Sequence, residues 1–241
     1  EVDVNAEINE ILAKGAKIGS DGFELPDPSE VRTYSNPRLR KVEIIQPDEY
    51  VEYEAAGQIP SPYIKNGVTQ GWMVNGCVVI APRHAIIGKG HIDKDLTNIE
   101  VDFNVGYQGK GSFKQQVKIK PIACGRGDIG DGVEGEDFCI YKANRSLKGL
   151  IKPIKIGAID FQRYDIVPTI SVGYFPQASG QLDVLAKDVN AKIVDGASSY
   201  LESRAANISG AGLVDINGET HAKYLIGLQV GYFKAVNSAR V

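Results

Sequence analysis

The chain has no excess of positive charge: 27 Lys and Arg against 30 Asp and Glu leave a net charge of -3 over 241 residues. Without clustered cations there is no electrostatic footprint for neutralising phosphates, which argues against a nucleic-acid partner. No apolar run approaches the roughly 18 to 20 residues that a membrane-spanning helix needs, and the opening residues carry no signal-peptide pattern. Cysteine is scarce. Cys77, Cys124 and Cys139 are odd in number and have no metal-ligand spacing, which excludes a cysteine-based zinc site and a disulfide-rich scaffold. Each lies in apolar, strand-like surroundings, so buried free thiols are expected, with a single disulfide as the alternative. Internal repeats and low-complexity tracts are also missing. No helical crossover separates the β-rich segments, which argues against a parallel α/β sheet.

What is present is mostly short β-rich runs. One helical pattern opens the chain, with Val4, Ile8, Ile11, Leu12 and Ala16 at helical spacing and Asn5 as its cap. A polar stretch with Pro26, Pro28 and Pro37 then reads as an irregular linker. From residue 41 the expected strands fall at 41–45, 50–53, 71–74, 77–81, 99–103, 116–122 and 138–141. After a break near 144–152 a second set follows at 154–156, 166–174, 184–194, 199–202, 212–216 and 224–233. Strands at this spacing, bounded by Gly, Asn, Asp and Pro, predict an all-β sandwich or barrel architecture that divides near 145–155.

Three polar residues stand out against that background. The segment 71–84 reads as a hairpin with an Asn75-Gly76 turn whose second strand runs through Ala81-Pro82-Arg83 to His84. A histidine just past a strand end is rigidly held yet can face a cleft, as a general base must. Asp137 stands at the mouth of the apolar run Phe138-Cys139-Ile140-Tyr141, where a half-buried carboxylate can orient an imidazole. Asn207-Ile208-Ser209-Gly210-Ala211-Gly212 reads as a small-residue turn presenting one serine. Small neighbours let a substrate backbone approach the hydroxyl, which needs a base and oxyanion donors to act as a nucleophile. His84 and Asp137 fall in the first set of strands and Ser209 in the second, so a cleft between two barrels would gather all three. His91 and His221 sit in polar loop contexts.

Over residues 65–235 these segments resemble the chymotrypsin-fold (trypsin-like) serine peptidases, nearer in texture to the disulfide-poor bacterial and viral branches such as the V8-like glutamyl endopeptidases. The strand-turn-strand of 71–84 leading to His84, the segment 136–142 set against the family's Asp-apolar-apolar-apolar-basic pattern, 208–213 against its Ser-Gly-Gly-Pro-Leu pattern and the strand at 225–231 carry the likeness. The resemblance implies two six-stranded antiparallel β-barrels: residues 41–148 with His84 and Asp137, and residues 149–241 with Ser209, preceded by a helical or irregular extension over 1–40. It further implies a serine endopeptidase acting through an acyl-enzyme, needing neither metal nor organic cofactor, with a peptide or protein as substrate. Ser209 would be the nucleophile, His84 the base and then acid, and Asp137 the orienting group. The backbone N–H groups of Asn207 and Ser209 would form the oxyanion hole. Substrate would add as a strand along Gln229, Val230 and Gly231, with Ser203 and Arg204 in the pocket wall.

The chain departs from the family pattern at several places. Asn207 stands where glycine is usual, and Asn tolerates positive φ better than most residues. Ile208 replaces the aspartate that pairs with a newly cut N-terminus in trypsin-like zymogens, so activation by that ion pair is not expected. Gln229 stands where glutamyl-specific relatives often carry histidine. Arg204 directed inward would favour an acidic residue before the cut; directed to solvent, it would leave the pocket neutral. Asp128, Asp131, Glu134, Glu136 and Asp137 crowd one Gly-rich loop, which a solvated acidic loop explains and a calcium site is the alternative. A sequon covers Asn207-Ile208-Ser209 itself, so a bacterial, viral or cytosolic setting is expected over eukaryotic secretion. The rival reading is a catalytically impaired relative that uses the same cleft to bind a peptide or a partner protein.

Overall fold

A computed structural model describes residues 18–19, 22–23, 42–63, 67–87, 96–125, 137–157, 166–175, 184–194, 200–202, 212–216, 223–228, 231–233 and 238–240. The helix expected over 4–16 and the proline-bearing linker lie outside them. Seventeen strands account for most of what is described. A small hairpin joins β1 (Ile18–Gly19) to β2 (Gly22–Phe23), and β3 (Val42–Ile44) follows. Next come a 3-10 helix (Pro47–Tyr53), β4 (Ala56–Pro60), β5 (Val68–Asn75), β6 (Val78–Ala81) and a one-turn helix α1 (Arg83–Ile87). A 3-10 turn (Leu96–Asn98) leads into β7 (Val101–Gly109), β8 (Ser112–Cys124) and β9 (Cys139–Ala143). The second half holds β10 (Lys155–Ile156), β11 (Ile166–Phe175), β12 (Val184–Val194), β13 (Tyr200–Glu202), β14 (Gly212–Ile216), β15 (Lys223–Leu228), β16 (Gly231–Phe233) and β17 (Ser238–Arg240).

In the first half, β4-β5-β6-β9-β8-β7 close into a six-stranded barrel. Closure removes the exposed sheet edges that would otherwise invite pairing with other chains. Along β8, buried Val117, Ile119 and Pro121 alternate with exposed Lys118 and Lys120, the period-two pattern of a strand with one face on a core. Trp72, Phe103, Ile59 and Tyr141 fill the core with them. The β7–β8 turn is a two-residue loop in which Lys110 (φ 52°) and Gly111 (φ 71°) both take positive φ, the twist that lets neighbouring strands stay paired. The second half forms a nine-stranded sheet in the order β10-β15-β14-β11-β12-β13-β17-β16, with β3 paired to β12. All its ladders are antiparallel except β10 with β15.

The two halves share one core and a few directed bonds. The Gln70 side chain donates to the Val172 carbonyl (3.2 Å) and accepts the Tyr174 N–H (3.0 Å), stitching β5 to β11. The Tyr174 hydroxyl donates to the Ala56 carbonyl at 2.9 Å, and its ring packs edge-on against Tyr107 at 5.6 Å. Burial, reinforced by Tyr107, pushes the Tyr174 phenol well above its ordinary range, so it stays a donor. Gly212, at the head of β14, lies flat against Trp72: a Cβ there would come within 2.2 Å of the indole ring.

Three expectations are corrected. Residues 50–53 are not a strand but the end of the 3-10 helix: Pro47 opens it, and the Glu49 carboxylate accepts the Gln46 N–H at 3.2 Å. Residues 56–60, whose Gly and Pro hide strand character, form β4; Gly57 is needed because a Cβ would meet the Phe103 ring at 2.2 Å. The cysteines are not all free thiols, since Cys124 is bonded to Cys139 and only Cys77, half-buried, remains free. They face each other directly across the β8–β9 ladder.

Because the indole is fully enclosed, Gly212→Ala is expected to destabilise the protein by about 1–3 kcal/mol through overpacking. The cost should shrink in a Trp72→Leu background, as a double-mutant cycle followed by urea unfolding would read.

Candidate active site

The polypeptide reaches His84 by a route that leaves the side chain little freedom. β6 ends at Ala81, Pro82 fixes the next φ, and α1 begins at Arg83. The sequence pattern did not reveal this short helix. Every residue of α1 is buried, so its backbone polar groups must find partners in the protein. A helix leaves its first N–H groups and last carbonyls unsatisfied, and in a single turn that means nearly all of them.

Asp137 answers part of that demand. Its carboxylate accepts the His84 backbone N–H through Oδ1 at 2.9 Å and meets the imidazole Nδ1 through Oδ2 at 2.6 Å. An ionised carboxylate only accepts hydrogen bonds, so Nδ1 carries the hydrogen and Nε2 is left with its lone pair. One side chain thus caps the helix start and fixes the tautomer and plane of the ring. The Arg83 N–H makes a longer contact, 3.4 Å, to the Asp137 carbonyl. His84 is 7% exposed and Asp137 3%. Enclosed at that level, a charge-assisted bond is shielded from competing water and salt.

Asp137 is itself fastened. Two residues on, fully buried Cys139 pairs with Ala81 of β6 and is bonded to Cys124 at the end of β8. The Gly125 N–H donates to the Phe138 carbonyl at 2.8 Å just inside that bond. The disulfide therefore ties together both ends of the segment that delivers the carboxylate. Closing a loop of 15 residues is worth about 3 kcal/mol in chain entropy. Arg83 and Tyr141 are buried beside the pair. Burial pushes the Tyr141 phenol up, the Asp137 carboxylate pushes it further, and the Arg83 guanidinium opposes both. A buried Arg83 had no signal in the sequence.

Of the other residues expected at the site, Gly231 is described: it opens β16 and pairs with Arg240. Among the described residues β16 pairs with β17 alone and stands last in the sheet order. Ser203, Arg204, Asn207, Ser209, Gln229 and Val230 lie outside the described residues, as do His91, His221 and the acidic residues Asp128, Asp131, Glu134 and Glu136. Ser209 stands three positions before Gly212 in the sequence, and Gly212 abuts Trp72 of the first barrel. Among the described residues, no helix is long and apolar enough to cross a membrane.

The solved structure of a Glu endopeptidase in complex with MPD is similar to this chain, with a TM-score of 0.59 at 12% sequence identity, covering 83% of this chain and 89% of that one. No family model matches the sequence, and no curated protein matches it either. The likeness shows a chymotrypsin-like fold, in agreement with the closed barrel and the strand-dominated second half.

Alkylation checks the cysteine assignment. Without reductant, iodoacetamide on the denatured protein should modify Cys77 alone, and peptide mass mapping should find residues 124 and 139 in one linked pair. Three alkylated cysteines would overturn it.

Proposed function

We propose that this chain is a serine-type endopeptidase that hydrolyses peptide bonds through an acyl-enzyme, with Ser209, His84 and Asp137 as its triad. The observation that carries the reading is the two-point bond between Asp137 and His84 within a chymotrypsin-like fold. With Nδ1 turned to Asp137, Nε2 is the ring nitrogen that would accept a proton, and a base so oriented is what a serine hydroxyl lacks.

In this reading the Ser209 Oγ attacks the scissile carbonyl while His84 Nε2 takes its proton. Asp137 stabilises the imidazolium that forms without itself becoming protonated. The N–H groups of Asn207 and Ser209 receive the oxyanion. His84 then gives the proton to the leaving amine, the C–N bond breaks, and the acyl group stays on Ser209. Water, deprotonated by the same Nε2, attacks the ester; the C–Oγ bond then breaks as His84 returns the proton to Ser209, and the acid is released. Substrate lies as an added strand along Gln229, Val230 and Gly231; the place of β16 at the end of the strand order supports this, because main-chain groups of a terminal strand can pair with an extended peptide. Ser203 and Arg204 line the pocket for the residue before the cut.

A fluorophosphonate probe reacts only with an activated serine, so it separates cleavage from peptide binding alone. The protein should be labelled once, at Ser209, and Ser209→Ala should abolish labelling. Asp137→Asn, which keeps a carbonyl for the His84 N–H but presents the wrong partner to Nδ1, should slow labelling about a thousand- to ten-thousand-fold. A folded protein that resists the probe, yet still binds peptide in the cleft, would establish the binding reading instead.

A further inference from the structure

The start of α1 is held by Asp137; its far end is held by something else. The Ser61 hydroxyl, just beyond β4, donates to the carbonyl of Ala85, the residue after His84. The same oxygen accepts the Tyr63 N–H at 3.2 Å, and the Ser61 N–H donates to the Gly67 carbonyl at 2.9 Å. Ser61 is 4% exposed and Ala85 fully buried. Its hydroxyl therefore cannot exchange its partner for bulk water, and its turn is pinned from both sides. A one-turn helix cannot satisfy its own last carbonyls. The Ala85 carbonyl is one of these orphans, and Ser61 is its donor.

We propose that Ser61 is a positioning residue for the His84 base. It rests on the reading of His84 as a general base and acts on the same site from the opposite end of the helix. His84 is thereby held at two points along α1. Asp137 fixes the backbone N–H and the ring nitrogen of His84, and Ser61 fixes the carbonyl of the next peptide unit. Core packing of Ile86 and Ile87 seats the apolar side chains of α1, and the Asp137 bonds hold its first residues. The Ser61 bond adds a directed restraint on the peptide unit that follows His84. Misplacement of a catalytic group by about an ångström can cost on the order of a hundredfold in rate, so a bond remote from the reacting atoms has leverage over kcat. The two flanking residues, Pro60 and Pro62, restrict the backbone that carries the hydroxyl. Ser61 touches neither substrate nor the reacting atoms in this account.

The test combines kinetics with a proton resonance. In the full-length protein, the His84 Nδ1–H hydrogen bonded to Asp137 should give a low-field ¹H NMR signal. Ser61→Ala should lower kcat about 10- to 100-fold with KM changed less than about twofold, and should shift or broaden that signal. Ser61→Thr, which restores the hydroxyl, should recover both. Should Ser61→Ala fail to fold, Ser61→Cys, with a weaker donor at the same place, should fall between wild type and alanine in both readouts. A folded Ser61→Ala, or Ser61→Cys, with wild-type kcat and an unchanged signal would overturn the proposal. If the wild-type protein neither hydrolyses peptides nor labels at Ser209, the peptidase reading fails. The resonance still decides whether Ser61 holds the His84–Asp137 pair.

Discussion

Most of what is distinctive about the site follows from a backbone problem. A one-turn helix buried on every residue cannot satisfy its own N–H groups and carbonyls, and an unsatisfied buried polar group costs about 1–3 kcal/mol. Asp137 resolves the front of that problem with the same carboxylate that orients the imidazole. The structural and chemical demands are thus met by one side chain. Removing it leaves a buried N–H and a buried ring N–H without their acceptor, so the fold around His84 and its chemistry fail together. Isosteric replacement by Asn separates the two, because the cap survives and the tautomer does not.

The other constraint is that the first barrel alone does not make a peptidase site. Under the proposed function its base would have to meet a nucleophile carried by the second half, so the relation of the halves has to be fixed. Three devices fix it: the paired bonds of Gln70 to β11, the buried Tyr174 hydroxyl on Ala56, and the indole of Trp72 against Gly212. The last is the most direct, since it holds the head of β14 against the first barrel where only glycine leaves room. β3 adds a further link, crossing from the chain before the first barrel to pair with β12. The disulfide and the helix converge on a fixed imidazole, and the inter-half packing fixes how the two halves meet.

The sequence made the architecture readable where alternation was clean. Strands at 184–194 and 212–216 fall where the pattern places them, and the Asn75-Gly76 turn joins β5 to β6, with the Asn75 side chain accepting the Cys77 N–H at 2.9 Å. Alternation failed where a tertiary contact overrode local preference. β4 was hidden because Gly57 answers to the Phe103 ring rather than to strand propensity. The 3-10 helix was hidden because its aromatic residues, Tyr50 and Tyr53, look like strand formers while Pro47 and Glu49 decide the conformation. His84 and Asp137, singled out at strand ends, are hydrogen-bonded to one another. Ser61, Arg83 and the Cys124–Cys139 bond were not legible, because each matters only through a neighbour brought close by barrel closure.

Catalysis by this triad depends on one distance: the hydroxyl of Ser209 within reach of the base that Asp137 orients. The most direct measurement is a crystal structure of the protein, free and after reaction with a fluorophosphonate. The account predicts Ser209 Oγ at about 2.6–3.2 Å from His84 Nε2, or somewhat longer without substrate, with the adduct's oxygen facing the N–H groups of Asn207 and Ser209. A folded protein with Ser209 Oγ more than about 10 Å from Nε2, far outside hydrogen-bond reach, would contradict it.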